Sequence, residues 1–340
     1  LDAVTGKTLW TASYPAGYKD RFGFDEGPRA VPTIDNGRVY TNGAAGILSC
    51  TDLKNGKKIW RLDTHASFKP RESFFGTACA PLVSGGKVFV QVGGTAGIGA
   101  GGKGSGIVAF DSETGKPLWG ATSDEAGYSS PVIGKLDGKT RLVCFTRTGI
   151  VILDPGTGNI LYEKRWRARI GASVNAATPV LTNDMVYFSS SYQTGSICLK
   201  ASEGGYRELW SGDRILSSHY SSSIQSSGYL YGFDGRQEYG TQLRCVSLAG
   251  GKIAWSEAQP GKKKFGSGTL ILAGDKLLVM ADSGELILAR VSPKGYRRLG
   301  SATILNDTVR AYPALAGGFL YARSTGELVC VDLRKETKAK

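Results

Sequence analysis

Short apolar segments alternate with polar turns along the whole chain, and the turns are rich in glycine and aspartate. Segments such as 38–40 and 87–90 have the length and the β-branched and aromatic content typical of strands. A small residue and a proline precede five of these segments, at Pro32, Pro81, Pro131, Pro179 and Pro313. No stretch has the 3.6-residue period of an amphipathic helix. The pattern therefore predicts an all-β protein.

One phrase recurs through the chain: an aspartate-containing turn, a Gly-Lys pair, and an apolar pair that ends in tryptophan. Strong copies occupy 1–10, 51–60 and 110–119, weaker copies occupy 153–162 and 246–255, and degenerate copies end near Trp210 and Leu299. Another copy begins at Val331. The copies are about 47 residues apart, which is the repeat length of a four-stranded propeller blade. We therefore predict a β-propeller of four-stranded blades.

The two ends of the chain leave the number of blades open. The chain begins at the turn before an outermost strand and ends just after a third strand. Residues 1–10 then either complete the last blade, giving seven blades in a single domain over 1–340, or remain from a truncated first blade of an eight-bladed parent. In the first case residues 7–10 pair with residues 328–331.

The recurring phrase resembles the tryptophan-docking motif of the propellers related to pyrroloquinoline-quinone (PQQ) enzymes. That superfamily includes quinoprotein alcohol dehydrogenases and the outer-membrane assembly factor BamB. Residues 27–32, 127–132 and 228–232 are most similar to single-domain PQQ-binding-like repeat proteins of planctomycete-type bacteria. The resemblance implies that the repeat tryptophans fill the wedges between blades, and it assigns this role to Trp10, Trp60, Trp119, Trp210 and Trp255.

Composition and charge exclude several classes of protein. Hydrophobic residues make up 41% of the 340 residues, and no apolar run approaches the roughly 18 residues of a membrane-spanning helix. The net charge of +13 is spread over many predicted blades, where Lys and Arg protect exposed sheet edges from pairing. Arg165, Arg167 and Arg169 belong to this scattered charge. Nucleic acid is therefore not predicted as a partner, and the oligomeric state stays undetermined.

Cysteines, glycines and histidines give no familiar catalytic or metal motif. Cys50, Cys198, Cys245 and Cys330 occupy the third strand of four different predicted blades, too far apart for disulfides, so we interpret them as small buried hydrophobes. The glycine-rich stretch 93–104 precedes a strand, whereas a phosphate-binding loop needs a helix there. The chain has only two histidines, which argues against a zinc site. No metal site or cofactor is assigned from these residues.

The residues just before each predicted innermost strand form the candidate site. In a propeller these positions crowd the mouth of the central channel, where ligands usually bind. The set is polar, aromatic and basic, which favours an anionic or planar polar ligand, and it comprises Arg29, Thr77, Tyr128, Asn175, His219, Tyr220, Lys264 and Arg310. The plain alternative is a solvated rim. Carboxylates in loops that lead to the mouth are candidate bases or cation ligands: Asp25, Glu26 and Glu72.

Two functions follow from the resemblance and the candidate site. The first is a non-catalytic binding or scaffold propeller outside the cytoplasm, in the periplasm or anchored to a membrane through a removed N-terminus. Its partner would be a protein, an anionic small molecule or a glycan. The alternative is a quinoprotein alcohol or sugar dehydrogenase, which needs PQQ, a Ca²⁺ ion held by carboxylate and amide oxygens, and a carboxylate base. Asn175, Glu72 and Asp25 supply only fragments of that set.

Overall fold

Seven antiparallel sheets account for nearly all regular structure in the computed structural model, which describes residues 1–20, 22–23, 27–71, 73–98, 104–258 and 266–334. Strands in each sheet pair in chain order, and six of the seven sheets have four strands. The chain is therefore an all-β, seven-bladed β-propeller, as the repeat predicted. It divides into two compact units, unit 1 (Leu1–Phe188 and Lys200–Arg207) and unit 2 (Ser189–Leu199 and Glu208–Lys340).

The first three blades belong to unit 1. Blade 1 consists of β1 (Thr33–Asp35), β2 (Arg38–Asn42), β3 (Ile47–Asp52) and β4 (Lys58–Asp63). Blade 2 consists of β5 (Leu82–Ser84), β6 (Lys87–Gln91), β7 (Ile107–Asp111) and β8 (Pro117–Ala121). Blade 3 consists of β9 (Val132–Leu136), β10 (Lys139–Phe145), β11 (Gly149–Leu153) and β12 (Ile160–Arg165). A five-residue helix, α1 (Thr64–Phe68), follows blade 1, and it is too short to give the periodic pattern of an amphipathic helix.

The remaining blades complete the chain. Blade 4, through which the boundary between the units runs, consists of β13 (Val180–Thr182), β14 (Met185–Ser190), β15 (Gly195–Ser202) and β16 (Gly205–Gly212). Blade 5 has β17 (Ile224–Ser226), β18 (Tyr229–Arg236), the 3₁₀ turn η1 (Gln237–Tyr239), β19 (Gly240–Ser247) and β20 (Ile253–Glu257). Blade 6 has β21 (Gly268–Ala273), β22 (Lys276–Ala281), β23 (Glu285–Arg290) and β24 (Arg297–Thr303), and blade 7 has β25 (Ala314–Ala316), β26 (Phe319–Arg323) and β27 (Leu328–Asp332).

The core lies between neighbouring blades, because the middle strands are apolar on both faces. Successive side chains of a strand point to opposite faces. In β6, Val88 and Val90 pack in one cluster with Tyr40 of blade 1, whereas Phe89 packs in another with Leu142 of blade 3. All five of these side chains are buried. Each blade is thus held through the apolar surface of its two faces.

The aspartate of the repeat closes the turn between the third and fourth strands. In blade 2, the Asp111 carboxylate accepts hydrogen bonds from the backbone N–H groups of Glu113 and Thr114, at 3.1 and 2.8 Å. Gly115 then adopts φ +71°, and a Cβ there would lie 2.6 Å from the Trp60 ring. Glycine is required at this point by both the backbone and the ring above it. Asp2, Asp52 and Asp154 close the same turn with the same two backbone hydrogen bonds.

Each repeat tryptophan donates its indole N–H to a carbonyl of the turn in the following sheet. Trp60 donates to Ser112 O at 3.0 Å and Trp119 donates to Pro155 O at 3.3 Å, and both rings are 8% exposed. The same bond joins Trp10 to Leu53, Trp210 to Leu248 and Trp255 to Ser292. Blade 3 has tyrosine at this position, and the ring of Tyr162 lies 5.3 Å from that of Tyr206.

Blade 7 differs from the other six. Its sheet has three strands in the part of the chain that the structure describes, and residues 7–10 lie in no strand. Pairing of these residues with β27 therefore stays a prediction. Cys330 on β27 is exposed, whereas Cys50, Cys198 and Cys245 are buried. The prediction of a buried thiol is wrong for Cys330, because no fourth strand covers β27 in this sheet.

Candidate functional site

The predicted site residues that the structure describes lie in connections at one end of the strands of their blades, here called the loop side. Strand 1 of a blade runs away from this side, strand 2 returns to it, and strand 3 leaves it again. The connections between blades and the loops between strands 2 and 3 therefore share the loop side, while the short turns lie at the opposite end, the turn side. In five blades the predicted proline comes directly before the first strand.

Arg29 is held by an internal carboxylate. Its guanidinium lies 3.2 Å from the carboxylate of Asp20, whose side chain is only 1% exposed. It also donates to the hydroxyl of Tyr18 at 3.2 Å and lies over the ring of Phe75. A buried carboxylate beside a guanidinium offsets its charge. Arg29 is consequently part of an ion pair, and its partner, Asp20, is a carboxylate that the sequence analysis did not single out.

Phe75 and Asn175 connect further predicted residues in unit 1. The backbone N–H of Phe75 donates to the hydroxyl of Tyr128 at 3.2 Å, and the two rings are 5.6 Å apart. Burial raises the pKa of Tyr128. Asn175 is 2% exposed, and its amide donates to Thr146 O and Trp166 O, both at 2.9 Å. Arg29 and Tyr128 therefore both contact the ring of Phe75. Asn175 connects the loops that contain Thr146 and Trp166.

Thr77 lies at the start of blade 2 and is buried. Its hydroxyl is 3.1 Å from Nε2 of His65, and its backbone N–H donates to Ala44 O. His65 belongs to α1, whose first turn is capped by the carboxylate of Asp63. Thr77 thus fixes α1 and a loop of blade 1 to the start of blade 2. The contacts of Thr77 are therefore structural ones.

His219 and Tyr220 lie together in unit 2. The His219 ring is 2.7 Å from both Gln237 Oε1 and the hydroxyl of Tyr192, through different nitrogens. Burial lowers the pKa of His219, and the hydrogen bond to Gln237 opposes that shift. Burial raises the pKa of Tyr220, whose ring lies 5.5 Å from that of His219. Both residues are therefore neutral at pH 7, while Arg310 is exposed in the same unit.

Four of the predicted residues, Asp25, Glu26, Glu72 and Lys264, lie outside the described residues. Of the others, Arg29, Thr77, Tyr128 and Asn175 belong to unit 1, and His219, Tyr220 and Arg310 belong to unit 2. Within unit 1 the structure brings Arg29 and Tyr128 together through Phe75, and within unit 2 it brings His219 and Tyr220 together.

Sequence reasoning missed a group of arginines on the loop side of unit 1. Glu125 pairs with Arg71 at 3.1 Å and with Arg147 at 2.9 Å. Arg147 and Arg167 both donate to the carbonyl of Gly171, at 2.8 and 3.3 Å. Burial lowers the pKa of Arg167, and the charge of Arg147 lowers it further. We call Arg71, Arg147, Arg167 and Glu125 the arginine cluster.

The described residues do not fit a bound PQQ with its Ca²⁺ ion. Among them, no three His, Cys, Asp or Glu side chains lie close enough to share a metal ion. The half-buried carboxylates of Glu125 and Asp234 pair with Arg147 and Arg244. Oxygen atoms committed in this way are poor ligands for a hard cation. Nor is any helix among the described residues long and apolar enough to cross a membrane.

Comparison with known proteins gives distant but consistent relatives. The quinohemoprotein alcohol dehydrogenase ADH-IIG of Pseudomonas putida is 35% identical over 122 residues, which are 35% of this chain and 16% of that protein. The outer membrane protein assembly factor BamB of Alkalilimnicola ehrlichii (strain ATCC BAA-1101 / DSM 17681 / MLHE-1) is 35% identical over 63 residues, 18% of this chain and 15% of that protein. The chain therefore matches about one sixth of the length of these curated relatives.

A solved structure and a family model cover far more of the chain. The crystal structure of BamB from Moraxella catarrhalis matches 92% of this chain and 84% of its own, with a TM-score of 0.67 and 18% identity. That likeness shows the fold. The family model described as outer membrane protein assembly factor BamB matches residues 1–257, about three quarters of the sequence. On this match, together with the seven sheets and their repeated turn, the chain belongs to the BamB family of PQQ-like β-propellers.

Proposed function

We propose that this protein is a non-catalytic binding or scaffold propeller that works outside the cytoplasm and binds a protein partner through its loop side. One observation carries the proposal: predicted polar residues of the loop side that the structure describes are bonded to neighbouring protein groups. Asn175 and Thr77 bond to neighbouring loops, and His219 is held between Tyr192 and Gln237. Such bonds give a rigid surface.

The exposed groups of this surface suit a protein partner. Phe22 is 53% exposed, and its ring lies beside the rings of Phe74 and Phe75. Arg71, a few residues before Phe74 in the sequence, has a side chain that is 82% exposed. Aromatic residues and arginine dominate the binding energy of protein interfaces. The relatives named assembly factors support a partner that is itself a protein of the cell envelope.

The alternative is a PQQ-dependent alcohol or sugar dehydrogenase, which the partial match to ADH-IIG favours. Such an enzyme needs a carboxylate base of suitable pKa. Burial raises the pKa of Asp234, but its carboxylate accepts from Ser217 N–H and pairs with Arg244. The guanidinium and the N–H group occupy lone pairs of this carboxylate that a general base needs, and this is why we prefer the scaffold.

Photo-crosslinking in the native cell tests the proposal. A photoreactive residue is placed at Arg71 or Arg310, exposed positions of the loop side, and the matched control places it at Lys54 or Asp35 on the turn side. We expect discrete high-mass adducts from the loop side, recovered with the cell envelope, and none from the turn side. Adducts that form equally from both sides would contradict a loop-side interface.

A second measurement separates the scaffold from the dehydrogenase. The purified protein is incubated with PQQ and Ca²⁺, and dye-linked oxidation of primary alcohols and aldoses is followed. The scaffold predicts no turnover and no Ca²⁺-dependent rise in melting temperature. Turnover that requires both additions would establish the alternative, whatever the crosslinking shows.

A further inference from the structure

The arginine cluster holds more positive charge than its own carboxylate balances. The pKa of Arg167 responds to the charges of Arg71, Arg147 and Arg165 as well as to Glu125. Glu125 is thus shared by several guanidiniums on the loop side of unit 1. The neighbouring Asp124 carboxylate accepts from Thr146 at 2.6 Å. Even when Asp124 is counted, the described residues of this region supply more guanidiniums than carboxylates. Like charges in a poorly solvated site repel, and a bound anion relieves that repulsion.

Arg147 is the buried arginine at the base of the cluster, and one of its N–H donors has no acceptor in the part of the chain that the structure describes. Its side chain is only 9% exposed, with one Nη bonded to Glu125 and the other to Gly171 O. Its Nε–H is buried and has no hydrogen-bond acceptor among the described residues. A buried donor without a partner destabilises the protein. The ring of Phe74, 4.7 Å from the guanidinium carbon, holds the group in place from one side.

The other arginines surround Arg147 from two loops. Arg71 is exposed and reaches the opposite oxygen of Glu125, while Arg167 is half-buried and donates to the same carbonyl as Arg147. Planar guanidiniums bind carboxylate and phosphate oxygens in pairs. The Glu125 carboxylate, 30% exposed, already occupies the position that such an oxygen pair would take.

We infer that the arginine cluster is a binding site for a small oxyanion, a carboxylate or phosphate group, which bridges Arg71, Arg147 and Arg167 in competition with Glu125. Glu125 then acts as an internal substitute that fills the site in the absence of the ligand. The inference goes beyond the proposed scaffold function. It shares Arg71 with the proposed interface, but it concerns a small anion and is measured on the isolated chain, so the two proposals can fail separately.

Isothermal titration of the full chain with inorganic phosphate and with malonate, at constant ionic strength set by NaCl, tests the site. Saturable binding of one anion per chain is expected, and the stronger of the two probes identifies the oxyanion. Arg71→Gln and Arg167→Gln should each weaken binding about tenfold, the loss of one charge-assisted hydrogen bond. The matched control is Arg169→Gln, which removes the same charge from an exposed position in the same loop and should bind as the wild type does.

Glu125→Gln should change the affinity for the anion in the opposite direction to the arginine variants. Removing the internal carboxylate should tighten anion binding several-fold, while it lowers the melting temperature of the ligand-free protein because two ion pairs are lost. The inference is overturned if neither anion binds, if Arg169→Gln weakens binding as much as Arg167→Gln, or if Glu125→Gln fails to tighten it. None of these outcomes depends on Arg147, whose replacement would disturb folding.

Discussion

The turn side and the loop side of the blades are built on different principles. On the turn side, four aspartates close the same turn with the same pair of backbone hydrogen bonds, and an indole N–H from the preceding repeat bonds the turn of blades 1, 2, 3, 5 and 6. On the loop side, the described connections carry different features: one carries α1, one an arginine-bound glutamate, and one a histidine between a tyrosine and an amide.

This difference assigns separate tasks to the two sides. A turn whose hydrogen bonds lie within six residues does not depend on the rest of the blade, so the same turn can form in every blade. The tryptophan that follows such a turn supplies apolar area between sheets. The loop side carries the charged and aromatic groups from which binding is built. Changes on the turn side should therefore alter stability and spare binding, whereas changes to exposed loop-side groups such as Arg71 should alter binding.

Trp119→Ala should show the largest effect. The ring is buried between β8 and blade 3, and its loss leaves a cavity, for which we expect a destabilisation of about 3–5 kcal/mol. Denaturant unfolding measures the change. The matched control is Leu118→Ala on the same strand, where the side chain is 45% exposed. Equal losses for the two variants would mean that the ring does not hold neighbouring sheets together.

The unpaired edge of blade 7 offers the next largest effect. In blades 1 and 5 the third-strand cysteine lies opposite the repeat tryptophan, as Cys50 does to Trp60 and Cys245 to Trp255. If residues 7–10 complete blade 7, Trp10 occupies the same place opposite Cys330. Oxidised Trp10→Cys should then form a disulfide with Cys330 and become about 2–4 kcal/mol more stable than its reduced form.

Peptide mapping of the oxidised protein detects the crosslink. Thr5→Cys is the control, because it lies in the turn closed by Asp2 and not opposite β27. The exposed Cys330 is the accessible partner, since the other cysteines are buried. A crosslink from position 5 and none from position 10 would favour the account in which residues 1–10 remain from another blade.

An exchange between two turns tests whether the turn side is modular. Blade 5 closes its turn around Ser247, with the same backbone bonds but without the aspartate. Ser247→Asp should add carboxylate hydrogen bonds to two backbone N–H groups and stabilise by about 0.5–1 kcal/mol, and Asp111→Ser should cost about as much. Thermal unfolding of both variants gives the comparison. A destabilising Ser247→Asp would show that the turns are not interchangeable.

The sequence predicted the parts of the fold that are determined locally. Strand starts follow prolines, because proline fixes its own φ and leaves the preceding residue extended, and the Asp-Gly turn carries its own hydrogen bonds. The blade repeat then gives the architecture. Cys330 was placed wrongly because burial depends on whether another strand covers β27, and no local pattern encodes this.

The candidate site was harder to predict, because its contacts join residues far apart in the chain. Arg29 looked like a rim cation until the structure showed Asp20 beneath it. Arg147 and Glu125 are ordinary charged loop residues in the sequence, and their pairing depends on how two loops of different blades pack. Spacing gives the position of a residue along its blade, but it does not give the residues of other loops that it contacts.

The pH dependence of unfolding tests the neutral network of unit 2, and we expect the smallest effect there. Burial lowers the pKa of His219 in the folded protein, with Arg236 contributing in the same direction and Gln237 and Glu238 opposing. The unfolded chain therefore binds the proton more tightly, so stability falls as the pH drops through the ordinary histidine range, near 6.5. His219→Gln should be less stable than the wild type at pH 7.5 but should lose less stability between pH 7.5 and 5.5. His65→Gln is the control and should keep the wild-type loss, because His219 is still present. If His219→Gln loses as much stability as the wild type on acidification, the histidine is not the titrating group, and another group of the protein causes the loss.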